Sequence, residues 1–355
     1  MSGRVRIGIV GTGGMGGAHA RAYSAIPEAE VAACFDIVPE RAKSFADQHG
    51  VPKVASDLDS LIGDVDAVAV VTPDKHHAAT SLAVLRAGKH LICEKPLTST
   101  LEEAREVATE ASRSKVIHMT NFSYRESAAF QRAMALVKEG ILGRLRHSHS
   151  IYLQCWLSST VWGSWTAPAM LWRLDARFSG GVLGDLGCHI LDMTTGIAGE
   201  VKRIRCDLRT FAKEIDGEEM SSFEGNPLDA NDTANIELEL VDGSVAIVQT
   251  TRWATGHKNH LRCEVHGTRG ALRLDLDKSY TDLELCVGKD VESADWKTEK
   301  NEPTPSNYRR FVEAILKGEP TQPDVLRGAQ VQAYLDACER SAQTGAWEPI
   351  HPWLI

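Results

Sequence analysis

The sequence predicts an α/β chain of two domains: an N-terminal Rossmann domain on a parallel sheet, then an α+β domain with a large, mainly antiparallel open sheet. Three observations predict it. The chain has 355 residues, more than one ordinary core holds. Up to about residue 122, short β-branched runs alternate with helical stretches. Beyond that point strand-like runs follow one another, separated by turn signals such as Asp242-Gly243 and Thr268-Arg269-Gly270. The expected domains are 1–122 and 123–355, with the C-terminal helices able to pack back on the first.

Val5-Arg6-Ile7-Gly8-Ile9-Val10 has the pattern of a buried parallel strand. The turn Gly11-Thr12-Gly13-Gly14-Met15-Gly16 follows at once, then a helix over residues 15–25 that Pro27 stops. A second strand over 31–35 ends in Asp36, twenty positions after Gly16. This is a βαβ unit with a dinucleotide fingerprint. Gly11 permits the tight turn, Gly13 lets a pyrophosphate approach the backbone, and Gly16 lets helix and strand pack closely. Gly14 and Met15 open the helix, whose N-terminus faces the phosphates. Asp36 would accept hydrogen bonds from the adenosine ribose and repel a 2′-phosphate. Ile37, not Arg or Ser, follows it, which selects NAD over NADP.

The alternation continues with helices over 41–49, 77–87 and 101–112 and strands over 65–71, 90–93 and 116–119. The strand over 65–71 ends at Thr72-Pro73, and the strand over 90–93 delivers Glu94-Lys95-Pro96. In open α/β sheets ligands sit outside the carboxyl ends of the strands. The glycine turn, Asp36, Thr72-Pro73 and Glu94-Lys95 all fall on that edge. Lys95 is then a cation placed for chemistry; the alternative is an ordinary surface lysine.

In the second domain a helix is expected over 130–139 and a strand over 147–153. A cluster of tryptophans follows: Trp156, Trp162, Trp165 and Trp172. Gly180-Gly181 leads into a helix over 182–197, on which Asp185, His189 and Asp192 share one face. That helix is otherwise apolar, so its polar residues need partners or a purpose. Strands are expected over 234–240, 245–251, 260–266 and 271–276, a loop over 291–305, and helices over 307–317 and 330–343. A large open sheet needs covering, so self-association as a homodimer or homotetramer is expected.

The net charge of −9 argues against nucleic acid or an anionic membrane as partner. No apolar run is long enough to span a bilayer, and the N-terminus carries no signal-peptide core. The eight cysteines form no CxxC pair and are expected to be buried and reduced, in a cytoplasmic protein. No metal site is expected: His76 and His77, like His147 and His149, lack convergent partners.

With these residues in view, the chain resembles the glucose–fructose oxidoreductase / inositol dehydrogenase / rhizopine-catabolism (Gfo/Idh/MocA) family over nearly its whole length. The likeness is carried by Thr72-Pro73, His77, Ala87-Gly88-Lys89-His90 and Glu94-Lys95-Pro96, and by Gly181, Asp185, His189 and Asp192. Tyr152, Gln154, Trp156 and Trp172-Arg173 look like members acting on pyranosides and cyclitols. The resemblance implies an NAD-dependent oxidoreductase taking a hydride from a secondary hydroxyl of a sugar, glycoside or cyclitol, with Lys95, Asp185 and His189 catalytic. The cofactor would be held by Gly11, Gly13, Gly14, Met15, Gly16, Asp36, Thr72, Pro73, His77, Glu94, Lys95 and Asn121. The substrate would meet Tyr124, Tyr152, Gln154, Trp156, Trp172 and Arg173 besides the catalytic residues.

The chain departs from the pattern at Ser123, Ser127 and Cys155, and the stretch from Trp156 to Trp172 is longer than usual. A second reading is an NAD-dependent glycoside hydrolase that oxidises its sugar transiently, with Tyr152, His149 or Tyr124 as an added acid–base group. Arg173 and Arg177 would suit an anionic substituent, or else pair with Asp175 or Asp185. A non-catalytic regulator would be expected to lack Lys95 or His189, and both are present.

Overall fold

The computed structural model describes residues 3–350. The chain divides into two compact units. One holds the residues up to Ser123 together with Pro305–Gln332, the other Tyr124–Thr304 with the segment that follows from Ala333.

In the first unit five parallel strands lie in the order Ala29–Phe35, Val5–Val10, Ala67–Val70, His90–Glu94, His118–Asn121. Both faces are covered. Val68, Val70 and Leu91 enter one apolar cluster; Ile7, Ile9, Ala69 and Ile92 enter the other. That two-sided burial is why these strands read as continuous apolar runs rather than alternating ones. The helix Asn307–Lys317 joins the second cluster through Phe311, Val312, Ala314 and Ile315, which returns the late chain segment to this unit. The last strand runs two residues later than expected and so carries Asn121 to its carboxyl end. The helix Leu58–Asp64 was not anticipated; Asp57 starts it by accepting from Ser60 N at 2.8 Å.

The second unit holds, among the described residues, a nine-stranded sheet. Its order is Lys297–Lys300, Asp282–Val287, Gly270–Asp275, His260–Gly267, Leu145–Leu153, Val245–Thr251, Thr233–Leu240, Val201–Arg209, Glu348–Pro349. Neighbours are antiparallel except Leu145–Leu153, which runs parallel to Val245–Thr251. Alternation decides the faces: Ala246, Val248 and Thr250 are buried while Val245 and Ile247 are exposed. The buried face is covered by the helix Cys188–Ala198, with Ile190, Leu191 and Met193 fully enclosed.

Two expectations need correction. The stretch 291–305, read as loop, contains the strand Lys297–Lys300, which pairs with Asp282–Val287 at the sheet edge. Its residues are polar because an edge strand is solvated, so no hydrophobic period marks it. The helix read over 182–197 is interrupted near its start by a π-helical turn, Leu183–Gly187, and runs on as the α-helix Cys188–Ala198. Asn231 fixes its entry, its backbone carbonyl accepting from Val182 N and its side-chain oxygen from Leu183 N. Asp185 therefore comes from a wider turn than α spacing assumes. Such turns are concentrated at functional sites.

Candidate active site

At the carboxyl edge of the parallel sheet the glycines divide into two kinds. Gly11 has φ +96°, and a Cβ there would lie 2.8 Å from the Val71 carbonyl oxygen; one on Gly16 would lie 2.4 Å from the Gly11 carbonyl oxygen. These two are fixed by packing inside the protein. A Cβ on Gly13 or Gly14 would meet nothing within 4 Å, so their open side faces outward. Gly13 caps the helix Gly14–Ser24 without any side chain. An open backbone at a helix N-terminus fits a pyrophosphate, and the exposed Met15 flanks it.

Asp36 is prepared as an acceptor. Its Oδ2 accepts from Thr12 N and Thr12 Oγ1, both at 2.9 Å, its Oδ1 accepts from Val38 N at 3.0 Å, and Arg41 lies 3.7 Å away. Burial pushes its pKa up, but these hydrogen bonds and Arg41 outweigh it and hold it below the ordinary carboxylate value.

Thr72 and Pro73 end the central strand, and the Thr72 Oγ1 is buried without a hydrogen bond. His77 braces this loop to the next. Its Nε2 donates to the Thr72 carbonyl and its Nδ1 to the Pro96 carbonyl, both at 2.8 Å. Carbonyl oxygens only accept, so both ring nitrogens carry protons and the ring is an imidazolium. Burial opposes that charge; Cys93 and the two carbonyls outweigh it and raise the pKa to about 9.

Glu94 is buried beside Lys95. Its Oε1 accepts from His19 Nε2 at 2.8 Å and from Asn121 Nδ2 at 2.7 Å. Burial would raise its pKa, but His19, Asn121 and Lys95 bring it to about 2. Asn121 also receives a hydrogen bond from Asn307 Nδ2 at 3.0 Å. Glu94 and Asn121, expected at the cofactor, are thus the frame that fixes the strand end from which the half-buried Lys95 projects. His19 and Asn307 were not anticipated; a histidine inside the first helix carries no signal of its partner in sequence.

The second unit gathers the other half of the predicted residues. His189 is buried on the helix Cys188–Ala198, and its ring packs edge-on against Tyr124 at 4.9 Å. The Tyr124 and Tyr152 hydroxyls are 2.7 Å apart. Asn259 Oδ1 accepts from Tyr152 and from Gln154 Nε2, each at 2.8 Å. Burial, then Tyr124, push the Tyr152 phenol well above its ordinary pKa, which makes it a neutral hydrogen-bonding group. Asn259 is the missed member; it sits in a polar loop stretch with no period to mark it.

Asp185 lies 3.6 Å from Arg173 and 3.8 Å from Arg252. Arg252, also unanticipated, is wholly buried and donates to the Arg173 carbonyl at 2.9 Å. Asp192 stands apart, held by a two-point pair to Arg125 at 2.7 Å. Arg177 is engaged with Asp175, with Nη2 at 2.6 Å from its carboxylate. Trp156, expected at the substrate, is 3% exposed and packs with Leu157, Leu174 and Leu228. Trp172 keeps an exposed ring, with the Arg173 guanidinium 4.5 Å from its centroid. His147 and His149 lie on the exposed face of the sheet, His147 stacked on His266.

These features define a dinucleotide-dependent oxidoreductase. Residues 5–122 match the oxidoreductase family described by its NAD-binding Rossmann fold, and residues 130–273 match the GFO/IDH/MocA C-terminal domain. Levoglucosan dehydrogenase from Pseudarthrobacter phenanthrenivorans is 28% identical, with 98% of each chain covered. The 1,5-anhydro-D-fructose reductase of Ensifer adhaerens is 32% identical over 68% of this chain and 67% of its own. A solved structure of levoglucosan dehydrogenase in complex with NADH and levoglucosan superposes with a TM-score of 0.87 at 27% identity, covering 98% of this chain and 100% of that one. The chain belongs to the Gfo/Idh/MocA family of NAD-dependent oxidoreductases. Among the described residues no helix is long and apolar enough to cross a membrane.

Proposed function

We propose that the protein oxidises a secondary hydroxyl of a sugar, glycoside or cyclitol with NAD, and that Lys95, Asp185 and His189 act on the substrate. The observation that carries the reading is the polar cluster of Tyr124, Tyr152, Gln154 and Asn259 beside His189. Fixed donors and acceptors of this kind suit a polyol. When bound, NAD supplies the hydride acceptor. His189 takes the hydroxyl proton as general base. Lys95 donates to the same oxygen and stabilises the alkoxide as it forms. Asp185 accepts from a neighbouring hydroxyl. The open glycines and Asp36 hold the pyrophosphate and the adenosine ribose, with NAD preferred over NADP.

Self-association as a homodimer or homotetramer is part of the proposal, supported by exposed Val245 and Ile247 on the outer sheet face; light scattering on the eluting protein tests it. So is a cytoplasmic location, supported by eight cysteines that are all buried and free.

The test mixes purified protein with NAD and a panel of sugars, cyclitols and aryl glycosides, following absorbance at 340 nm and released aglycone together. Stoichiometric NADH without aglycone is expected. Aglycone released with no net NADH would replace this reading with the redox-neutral hydrolase. Lys95→Ala should abolish turnover while NAD binding persists; full activity would remove Lys95 from the mechanism.

A further inference from the structure

We infer that His257, His260 and Asp277 form a binding site for a divalent transition-metal ion of the zinc class. His260 opens the strand His260–Gly267, and Asp277 follows the strand Gly270–Asp275. These strands pair antiparallel with Arg262 opposite Asp275. Leu276 N donates to the Leu261 carbonyl at 2.8 Å, which continues the pairing one step further. The chain then turns, Lys278 N and Ser279 N donating to the Asp275 carbonyl at 3.1 Å, and this turn carries Asp277 beside His260. The strand pair and the turn that ends it bring these two residues together. His257 is folded back over them by a turn in which its N–H donates to the Ala254 carbonyl at 2.9 Å.

The side-chain geometry is that of ligands. The Nδ1 atoms of His257 and His260 are 3.1 Å apart, and one ligand atom from each of the three residues lies within 4.8 Å of the others. Two nitrogens each about 2.0–2.1 Å from one metal ion stand about 2.8–3.4 Å apart for angles between square and tetrahedral. The outer shell is present as well. His260 Nε2 lies 3.3 Å from Asp275 Oδ1. A carboxylate there accepts a hydrogen bond from Nε2–H, fixes the tautomer and leaves the Nδ1 lone pair pointing at His257, the arrangement usual behind a metal-bound histidine. Without metal, His257 Nδ1–H donates to that lone pair. With metal, both Nδ1 lone pairs would turn to the ion.

Two imidazoles and one carboxylate select a zinc-class ion over calcium or magnesium, which prefer all-oxygen sites. Three protein ligands leave a fourth position for water. Charge agrees: Asp275 and Asp277 are opposed locally by Lys278, 3.5 Å from Asp275, which leaves a net negative pocket. The ion would clamp the turn that carries Asn259, between His257 and His260, and so hold the Asn259 side chain against Tyr152 and Gln154. Its role is to position that loop, outside the hydride transfer.

The test titrates ZnCl2 into chelator-treated full-length protein by calorimetry, and CoCl2 with visible spectroscopy. One saturable site is expected, with cobalt ligand-field bands. Both should be lost in His257→Ala and in Asp277→Asn. Asp277 is exposed, so its variant keeps the fold. Asp275→Asn should weaken binding about 10- to 100-fold. Absence of saturable binding, or binding unchanged in His257→Ala and Asp277→Asn, would overturn the site.

Discussion

Arg252 Nη2 stands 3.8 Å from Asp185 Oδ2, a guanidinium with no exposed surface beside a carboxylate that is partly open. The guanidinium also lies over the Trp156 ring at 5.0 Å, and its Nε and Nη2 make no hydrogen bond. Burial pulls its pKa down to about 10, opposed by Asp185 and Asp232, so it stays charged at neutral pH. A buried cation with so little hydrogen bonding is costly to keep. Its return is a fixed positive charge behind Asp185. Arg252→Met should cost about 1–3 kcal/mol, because it leaves the Arg173 carbonyl without its buried donor. The same change should lower kcat/KM, and Arg252→Lys should recover part of it. Urea titration and steady-state kinetics check both effects. A stability loss with kcat/KM unchanged would reduce Arg252 to packing.

The doubly donating His77 has a defined signature in pH. Its folded pKa, about 9, lies above the ordinary 6.5. Its contribution to stability is therefore complete below pH 6.5 and is lost as pH rises through 9, on the order of 3 kcal/mol in all. The wild type should weaken in urea between pH 6.5 and 9.5 by more than His77→Gln, whose amide does not titrate. Parallel pH slopes for the two proteins would remove the imidazolium.

Glu94 has the opposite sign. Its folded pKa of about 2 lies below the ordinary 4.5. Its stabilisation is present above pH 4.5 and lost as pH falls through 2. Glu94→Gln sets an amide N–H among the donors His19 and Asn121 and should cost about 1–3 kcal/mol at pH 7. It should also flatten the acid side of the stability profile. Because Glu94 frames the strand end before Lys95, kcat should fall more than NAD affinity, measured by steady-state kinetics beside a binding titration.

How much of this was legible before the structure follows from what each residue type encodes. The parallel strands were readable because burial on both faces writes unbroken β-branched runs, and Gly11, Gly16 and Asp36 because backbone conformation and chemistry restrict those positions. Lys297–Lys300 was not, since a solvated edge strand has no apolar period. Nor was the π turn at Leu183–Gly187, because helical periodicity does not separate a widened turn from a regular one. Trp156 shows a different limit: an indole has the same composition whether it stacks on a sugar or packs among leucines, and its partners Leu174 and Leu228 are distant in the chain. Arg252 and Asn259 acquire their roles from neighbours brought in from distant strands and turns. The metal site was hidden for the same reason, since His260 and Asp277 meet across a strand pair and its turn and not through spacing in the chain.

The choice between NAD and NADP rests on one carboxylate, and the structure explains why it is a sharp test. Both oxygens of Asp36 are held by Thr12 and Val38, and hydrogen bonding keeps the group ionised. A 2′-phosphate brought to this strand end would meet a fixed negative charge, while ribose hydroxyls would find an acceptor. Arg41, 3.7 Å away and largely exposed, is a cation already in place. In Asp36→Ala it becomes available to the phosphate. NAD should then bind about tenfold more weakly, the loss of about 1.4 kcal/mol of charge-assisted hydrogen bonding. NADP should bind more tightly, and Asp36→Ala with Arg41→Ala should lose that gain. Dissociation constants for both cofactors, measured by the quenching of tryptophan fluorescence, decide it. Equal use of NADP by the unmodified protein would refute the role of Asp36.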